Sequence, residues 1–305
     1  MTRAFAVGRC PDAAGGPAQL PASEAAVRAK VAVMPEGPEI RQEADRIQRA
    51  LRGEVAEEVW FAFPRLASHA EMLQGREVVA VESRGKALLT RFEGGWNVYS
   101  HNQLYGRWYV TARGCEPKTN RQLRFAVHTS KRSALLYSAS DIEVLADEEV
   151  DEHPFLKKLG PDILSSRVRP AAVRKRLRDA RFAGRSLGAL LLDQGFVCGL
   201  GNYLRSEILF VSHLDADQRP KDLDDDQVAA LADAVVTITR RAYKLKGVTN
   251  DPDDNRRLQA EGVPRSQRRH FVFARAGKPC RLCGETVEKR ESAGRRLYWC
   301  PACQP

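Results

Sequence analysis

Four cysteines crowd the last 26 residues of this 305-residue chain: Cys280, Cys283, Cys300 and Cys303, in the pattern C-x2-C, sixteen residues, C-x2-C. Two knuckles at that spacing can close a tetrahedral four-thiolate zinc site, and the residues between them are enough for a β-hairpin. The alternative, two disulfides in a secreted domain, lacks any accompanying mark of secretion. Four thiolates leave no open coordination position. One Zn2+ is therefore expected, holding shape and doing no chemistry. The remaining cysteines, Cys10, Cys115 and Cys198, are scattered and read as ordinary core or surface residues. From Arg265 to Pro305 there are ten Lys and Arg against three Asp and Glu, so the expected hairpin presents a basic surface.

The whole chain is basic as well, with 49 Lys+Arg against 39 Asp+Glu and a net charge of +10. A surplus of this sign favours a polyanionic partner through counterion release. At 43% hydrophobic and 29% charged residues the composition is globular and excludes wholesale disorder, and the length suits about two domains. No run approaches the roughly 20 apolar residues of a bilayer-spanning helix, and the start has no signal-peptide pattern. The expectation is a cytoplasmic protein without a membrane partner.

Residues 1–33 are rich in Ala, Gly and Pro with no sustained period, and read as a disordered leader. Ile40, Ala44, Ile47 and Leu51 then recur at helical spacing up to Gly53. Between Val55 and Leu145 come the runs EVVAVES, ALLTRF, WNVYS, RWYVTA, LRFAVHT and ALLYSA, which predict six or more strands in an antiparallel sandwich or barrel. Four helical stripes follow, at Val173 and Leu177, in SLGALLLDQ, at Leu204 to Val211, and at Val228 to Ile238. The predicted class is α+β: an N-terminal helix with a β-sandwich over 34–150, a linker at 151–165, and a helical domain at 166–250. An irregular loop at 251–271 and the zinc hairpin at 272–305 complete the order.

The string Met34-Pro35-Glu36-Gly37-Pro38-Glu39-Ile40 heads the first helix. Proline and acids there suit orphan amides and the helix dipole, and alone would read as structural. The string is followed in one order by SRGKALL, HNQLYG, LLDQGFVCGLGNYLRSEIL and the four-cysteine hairpin. With these motifs the sequence resembles the bifunctional DNA glycosylase/AP lyase family of formamidopyrimidine-DNA glycosylase and endonuclease VIII, over essentially Met34 to Gln304. HNQLYG and VWFAF bring it nearer to the endonuclease VIII branch.

The resemblance implies a set of roles. Pro35, freed of its initiator Met, attacks C1′ of a damaged nucleotide, because an α-amine is partly neutral at pH 7 whereas a lysine is mostly protonated. Glu36 is the expected general acid that protonates the opening sugar. Glu39 matches a second family carboxylate, either a catalytic support or simple dipole compensation. Lys86 matches the lysine at the lesion phosphate that donates a proton during β-elimination. Arg295 matches the arginine that assists δ-elimination, with Arg296 as the neighbouring register. Asn202 belongs to a helix–two-turns–helix element that holds phosphate at a helix N-terminus, and would also serve as an N-cap. Gln103, Leu104 and Tyr105, between WNVYS and RWYVTA, match the wedge that fills the hole left by an everted base. Lys158 stands where the endonuclease VIII pattern has arginine, which keeps the charge but loses the bidentate fork.

One feature conflicts with this mechanism. A proline nitrogen inside a peptide bond is a tertiary amide with no usable lone pair, yet 34 residues precede Pro35. The expectation is that translation starts at Met34, with proteolytic processing as second choice; a chain that keeps its leader would bind damaged DNA without cleaving it through Pro35. The predicted activity is excision of oxidised pyrimidines from double-stranded DNA with β,δ-elimination, by a monomer associated with the nucleoid. Excision of oxidised purines is the alternative.

Overall fold

A computed structural model describes residues 35–305. The expected disordered leader at 1–33 and the expected initiator Met34 lie outside them. The described elements are α1 (Gly37–Leu51), β1 (Glu58–Phe61), α2 (Ala67–Leu73), β2 (Val78–Arg84), β3 (Ala87–Phe92), β4 (Trp96–His101), β5 (Arg107–Ala112), β6 (Leu123–His128), β7 (Arg132–Tyr137), β8 (Asp141–Ala146) and α3 (Asp147–Val150). They continue with α4 (Pro170–Leu177), α5 (Ala180–Ala183), α6 (Leu187–Leu190), α7 (Asn202–Val211), α8 (Asp225–Lys244), α9 (Pro252–Ala260), α10 (Arg265–Arg268), β9 (Glu288–Ser292) and β10 (Arg295–Trp299).

The chain falls into two compact units. Among the described residues the first contains Pro35, 46–81 and 90–144. β1 and β2 largely alternate buried and open positions, as the period of 2 in a half-buried strand demands, whereas β3, β4 and β7 are buried along most of their length. One sheet runs β1-β6-β7-β5 and is antiparallel throughout, and the other runs β2-β3-β4-β8. Phe125 of β6 stacks on Phe61 at 4.7 Å and meets the buried Trp108 edge-on at 5.8 Å. The segment between β4 and β5 is not a hairpin tip. These two strands lie in different sheets, so the turn at Asn102–Gly106 carries the chain from one sheet to the other.

The second unit contains residues 36–45, 82–89 and 145–305. The start of α1 and the β2–β3 turn thus group with the helices. Val173, Leu177, Leu190, Leu204, Ile208, Leu231 and Val235 form one apolar core with Phe273 and Leu297. A smaller cluster of Phe210, Phe271, Val272 and Val287 surrounds Cys280 and Cys300. The stretch after Asn250, expected to be irregular, carries α9. Its reason is local: Asp251 accepts from the amides of Asp253 and Asp254, Pro252 occupies the first helical position, and Arg257 pairs with both Asp254 and Glu261. None of its residues is buried, so no apolar stripe marks it in the sequence.

Candidate active site

Helix α7 begins after the turn Gly199-Leu200-Gly201, and its cap comes from elsewhere in the chain. The first amides of a helix have no partner within it. Glu36 supplies one: its Oε1 accepts from Tyr203 N at 2.8 Å and its Oε2 from Leu204 N at 3.3 Å. The N-cap position is Gly201, and a Cβ there would lie 2.4 Å from Glu36 Cδ. Glycine is required for the carboxylate to reach the helix. A second close approach sits beside it, where Gly37 N donates to Gly199 O at 2.8 Å and a Cβ on Gly37 would meet Gly199 Cα at 2.8 Å. Asn202 is therefore the first helical residue and not the cap.

Glu36 is 3% exposed, and burial pushes its carboxyl up to about 8; Lys86 opposes that shift, while Glu39 adds to it. Burial lowers the Lys86 ammonium, with Glu36 pulling it back up and Arg295 pushing it further down. Glu36, Lys86 and Arg295 therefore share one field. Lys86 is half-buried at the β2–β3 turn, where Gly85 has φ +61° and donates its amide to Asp162 Oδ2 at 3.0 Å. Glu39, one turn into α1, accepts from Glu36 N at 3.1 Å and from Tyr203 Oη at 3.1 and 3.2 Å. That bond fixes the peptide group that joins Glu36 to Pro35, itself half-buried.

The sequence reading overlooked Arg205. Its guanidinium is fully buried and donates to Gly188 O at 3.2 Å, Ser292 O at 2.9 Å, Asn202 Oδ1 at 2.8 Å, Arg295 O at 3.3 Å and Arg296 O at 3.4 Å. All five acceptors are neutral. Burial lowers its pKa to about 10, with Arg295 adding to the shift and Glu36 opposing it, so it stays charged at neutral pH. Asn202 Nδ2 donates to Arg296 O at 2.8 Å, and Gly188 allows the hairpin close: its Cβ would lie 2.5 Å from Ser292 Oγ. The turn Ala293-Gly294 has φ of 49° and 68° at its two residues, the left-handed pair of a tight hairpin, and Arg295 follows directly. Only the partnership of Arg205 with Asn202, at i and i+3, was visible in the sequence.

The four cysteines converge as expected, with ligand atoms within 4.8 Å of one another. Cys280 and Cys303 lie 3.9 Å apart and Cys283 and Cys300 3.5 Å apart, and four thiolates are a donor set for a structural zinc. Lys158 is exposed in a short 3-10 turn, Leu156–Lys158. In the first unit, Leu104 and Tyr105 are 39% and 63% exposed, high values for apolar side chains. Their turn is held from beneath: Gln103, at φ 50°, accepts from Ser140 Oγ at 2.9 Å, and Tyr105 O accepts from Arg121 Nη1 at 2.5 Å.

Comparison with known proteins gives a consistent result. Residues 34–140 match the formamidopyrimidine-DNA glycosylase N-terminal domain, 159–252 its H2TH domain, and 277–305 the zinc finger found in FPG and IleRS. Endonuclease 8 of Escherichia coli O17:K52:H18 is 47% identical over 271 residues, which cover 89% of this chain and 100% of the relative. Endonuclease 8 of Klebsiella pneumoniae is 46% identical with the same coverage. Among solved structures, Lactococcus lactis formamidopyrimidine-DNA glycosylase bound to DNA with an AP site superposes with a TM-score of 0.73 at 20% identity, covering 88% of this chain and 99% of that one. The same enzyme with DNA containing an oxidised pyrimidine gives 0.72 at 21% identity, again over 88% and 99% of the two chains.

Proposed function

The chain belongs to the formamidopyrimidine-DNA glycosylase and endonuclease VIII family, and from that premise we propose a mechanism in which Pro35 is the nucleophile and Glu36 the acid. It is a DNA glycosylase and AP lyase of base excision repair that acts on damaged DNA and holds one structural zinc on Cys280, Cys283, Cys300 and Cys303. In our reading the Pro35 nitrogen, as a free α-amine, attacks C1′ and the glycosidic bond breaks, the base leaving with its electron pair. Glu36 delivers a proton to the ring oxygen as the sugar opens. The resulting iminium acidifies C2′, and loss of that proton expels the 3′ phosphate, with Lys86 protonating the departing group. A second elimination at the 5′ side, with Arg295 on the phosphate, leaves a gap. Hydrolysis then frees Pro35.

The observation that carries this reading is the buried Glu36 carboxyl, raised to about 8 and therefore largely protonated at pH 7, beside the Lys86 ammonium. An acid kept protonated one peptide from an α-amine is suited to ring opening, whereas a structural cap would be expected to remain ionised. The exposed Leu104 and Tyr105, with Gln103, support a stacking wedge, and Asn202 and Lys158 supply backbone contacts. We assign oxidised pyrimidines as the favoured lesions and one chain per duplex, acting in the cytoplasm at the nucleoid. No helix of the described residues is long and apolar enough to cross a membrane. The domains follow as 34–150, 166–250 and 272–305.

Borohydride trapping on a thymine glycol duplex, with Met34-start and Met1-start proteins side by side, tests the mechanism. Covalent capture of the Met34 form alone is expected; binding by both without capture of either removes Pro35 from the chemistry. An 8-oxoguanine duplex in parallel tests the lesion class.

A further inference from the structure

Beside Glu39 lies a cation that the mechanism leaves unused. Arg269 is half-buried after α10, and its Nε donates to His270 Nε2 at 2.7 Å. Among the described residues its terminal Nη1 and Nη2 have no hydrogen-bond partner and no carboxylate within ion-pair distance; burial raises the Glu39 carboxyl, and Arg269 lies near enough to oppose that shift. Gly247 marks where the two groups converge: a Cβ there would lie 3.2 Å from Glu39 Oε1 and 3.9 Å from Arg269 Nη1.

The ring that aims Arg269 is itself fixed. Thr249 Oγ1 donates to the buried Glu207 at 2.5 Å and so is left to accept from His270 Nδ1 at 2.8 Å. His270 Nε2 is then the unprotonated nitrogen, free to accept from Arg269. Burial lowers the imidazole pKa, with the charges of Arg269, Arg265 and Arg281 adding to the shift, which keeps the ring neutral. The ring packs against Tyr203 at 5.3 Å, whose hydroxyl holds Glu39. A donor and an acceptor are thus held side by side, and the acceptor Glu39 also takes the amide of Glu36, the residue after Pro35.

We propose that Arg269 is a specificity-determining residue that binds the everted base, its Nη groups donating to a ring carbonyl while Glu39 accepts from the adjacent ring N–H. The ligand class is a nucleobase with an imide edge, as in ring-saturated thymine and uracil, where carbonyl and N–H alternate. Glu39 retains capacity for this, since each carboxylate oxygen accepts more than one bond. His270 is the positioning residue. The inference rests on the glycosylase reading above and adds to it the groups that read the base.

The test compares single-turnover rates on two duplexes, one containing dihydrothymine and one a preformed abasic site. Arg269→Ala and Arg269→Lys are expected to slow excision of dihydrothymine about 10- to 100-fold, with abasic-site cleavage unchanged. His270→Phe keeps a ring against Tyr203 but offers no acceptor, and is expected to show the same split between the two reactions. Wild-type excision rates in both Arg269 variants overturn the proposal. Equal losses on both duplexes also overturn it, placing Arg269 in the scaffold or on a phosphate. Failure of the wild-type protein on both duplexes overturns the catalytic reading beneath it, and is distinguishable from either result.

Discussion

Glu36 and Tyr203 stand 167 positions apart, and the carboxylate of the first accepts the backbone amide of the second at 2.8 Å. One group thus closes the N-terminus of α7 and, in the proposed chemistry, supplies the proton for ring opening. Gly201→Ala separates these roles from composition, because the added Cβ would lie 2.4 Å from Glu36 Cδ. We expect a loss of about 1–3 kcal/mol in stability and roughly 10²-fold or more in excision rate. Thermal unfolding and single-turnover assays check both.

The pH dependence follows from two groups of opposite requirement. In the proposed mechanism Pro35 must be neutral, and an α-amine loses its proton near pH 7.7–8.0; Glu36 must be protonated, and burial holds it so up to about 8. Excision is therefore expected to rise with pH, peak near the crossing and fall above it. Stability has a single sign: folded Glu36 binds a proton that the unfolded residue, with an ordinary value of 4.5, releases, so this contribution is lost as pH rises from 4.5 to about 8. In Glu36→Gln that part of the slope should vanish, as denaturant titration across the range would reveal.

Removal of zinc should act on DNA binding without touching the first unit's sheets. Metal affinity in such sites amounts to about 10–16 kcal/mol of folding energy, and the cluster around Cys280 and Cys300 is small. Chelation, or Cys283→Ala, is expected to release the hairpin and abolish strand cleavage. Proteolysis at Arg295–Arg296 together with amide exchange in β6 and β7 would show whether the loss stays confined.

Arg205 is a buried cation with five neutral acceptors and no carboxylate in ion-pair distance among the described residues. Arg205→Met leaves those oxygens without their donor. The expected cost is about 3–5 kcal/mol, with zinc retained and δ-elimination falling more than β-elimination, because the backbone of Arg295 loses its anchor. Gel analysis of the two cleavage products gives that ratio directly.

Leu104 and Tyr105 are exposed, so replacing both by Ala should leave the melting temperature nearly unchanged. Excision from a duplex should drop while cleavage of single-stranded abasic DNA holds, since only the duplex leaves a hole to fill. Equal loss on both strands would remove the wedge role.

The parts of the site legible in the sequence are those whose spacing is local. Cys280, Cys283, Cys300 and Cys303 announce a metal by their spacing, and Pro35 with Glu36 is picked out by the motifs that follow it in order. Tyr203 and Arg205 were passed over because their roles depend on partners brought together only by folding: an apolar helix position whose hydroxyl meets Glu39, and a cation inside a hydrophobic core. The helix at Pro252–Ala260 escaped periodicity for the opposite reason, being polar on every face and stabilised by its cap and ion pairs. The switch of sheets at Asn102–Gly106 was hidden because a turn between two strands reads alike whether or not they pair.

The bond from Glu36 to α7 also imposes an order on biosynthesis. The ribosome makes Pro35 and Glu36 first, yet the amides of Tyr203 and Leu204 emerge more than half a chain later. A nascent or truncated polypeptide ending before Gly199 carries Pro35, Glu36 and Lys86 but lacks the amides that hold the acid. In the proposed mechanism the ring-opening acid is thus seated only when synthesis is well advanced.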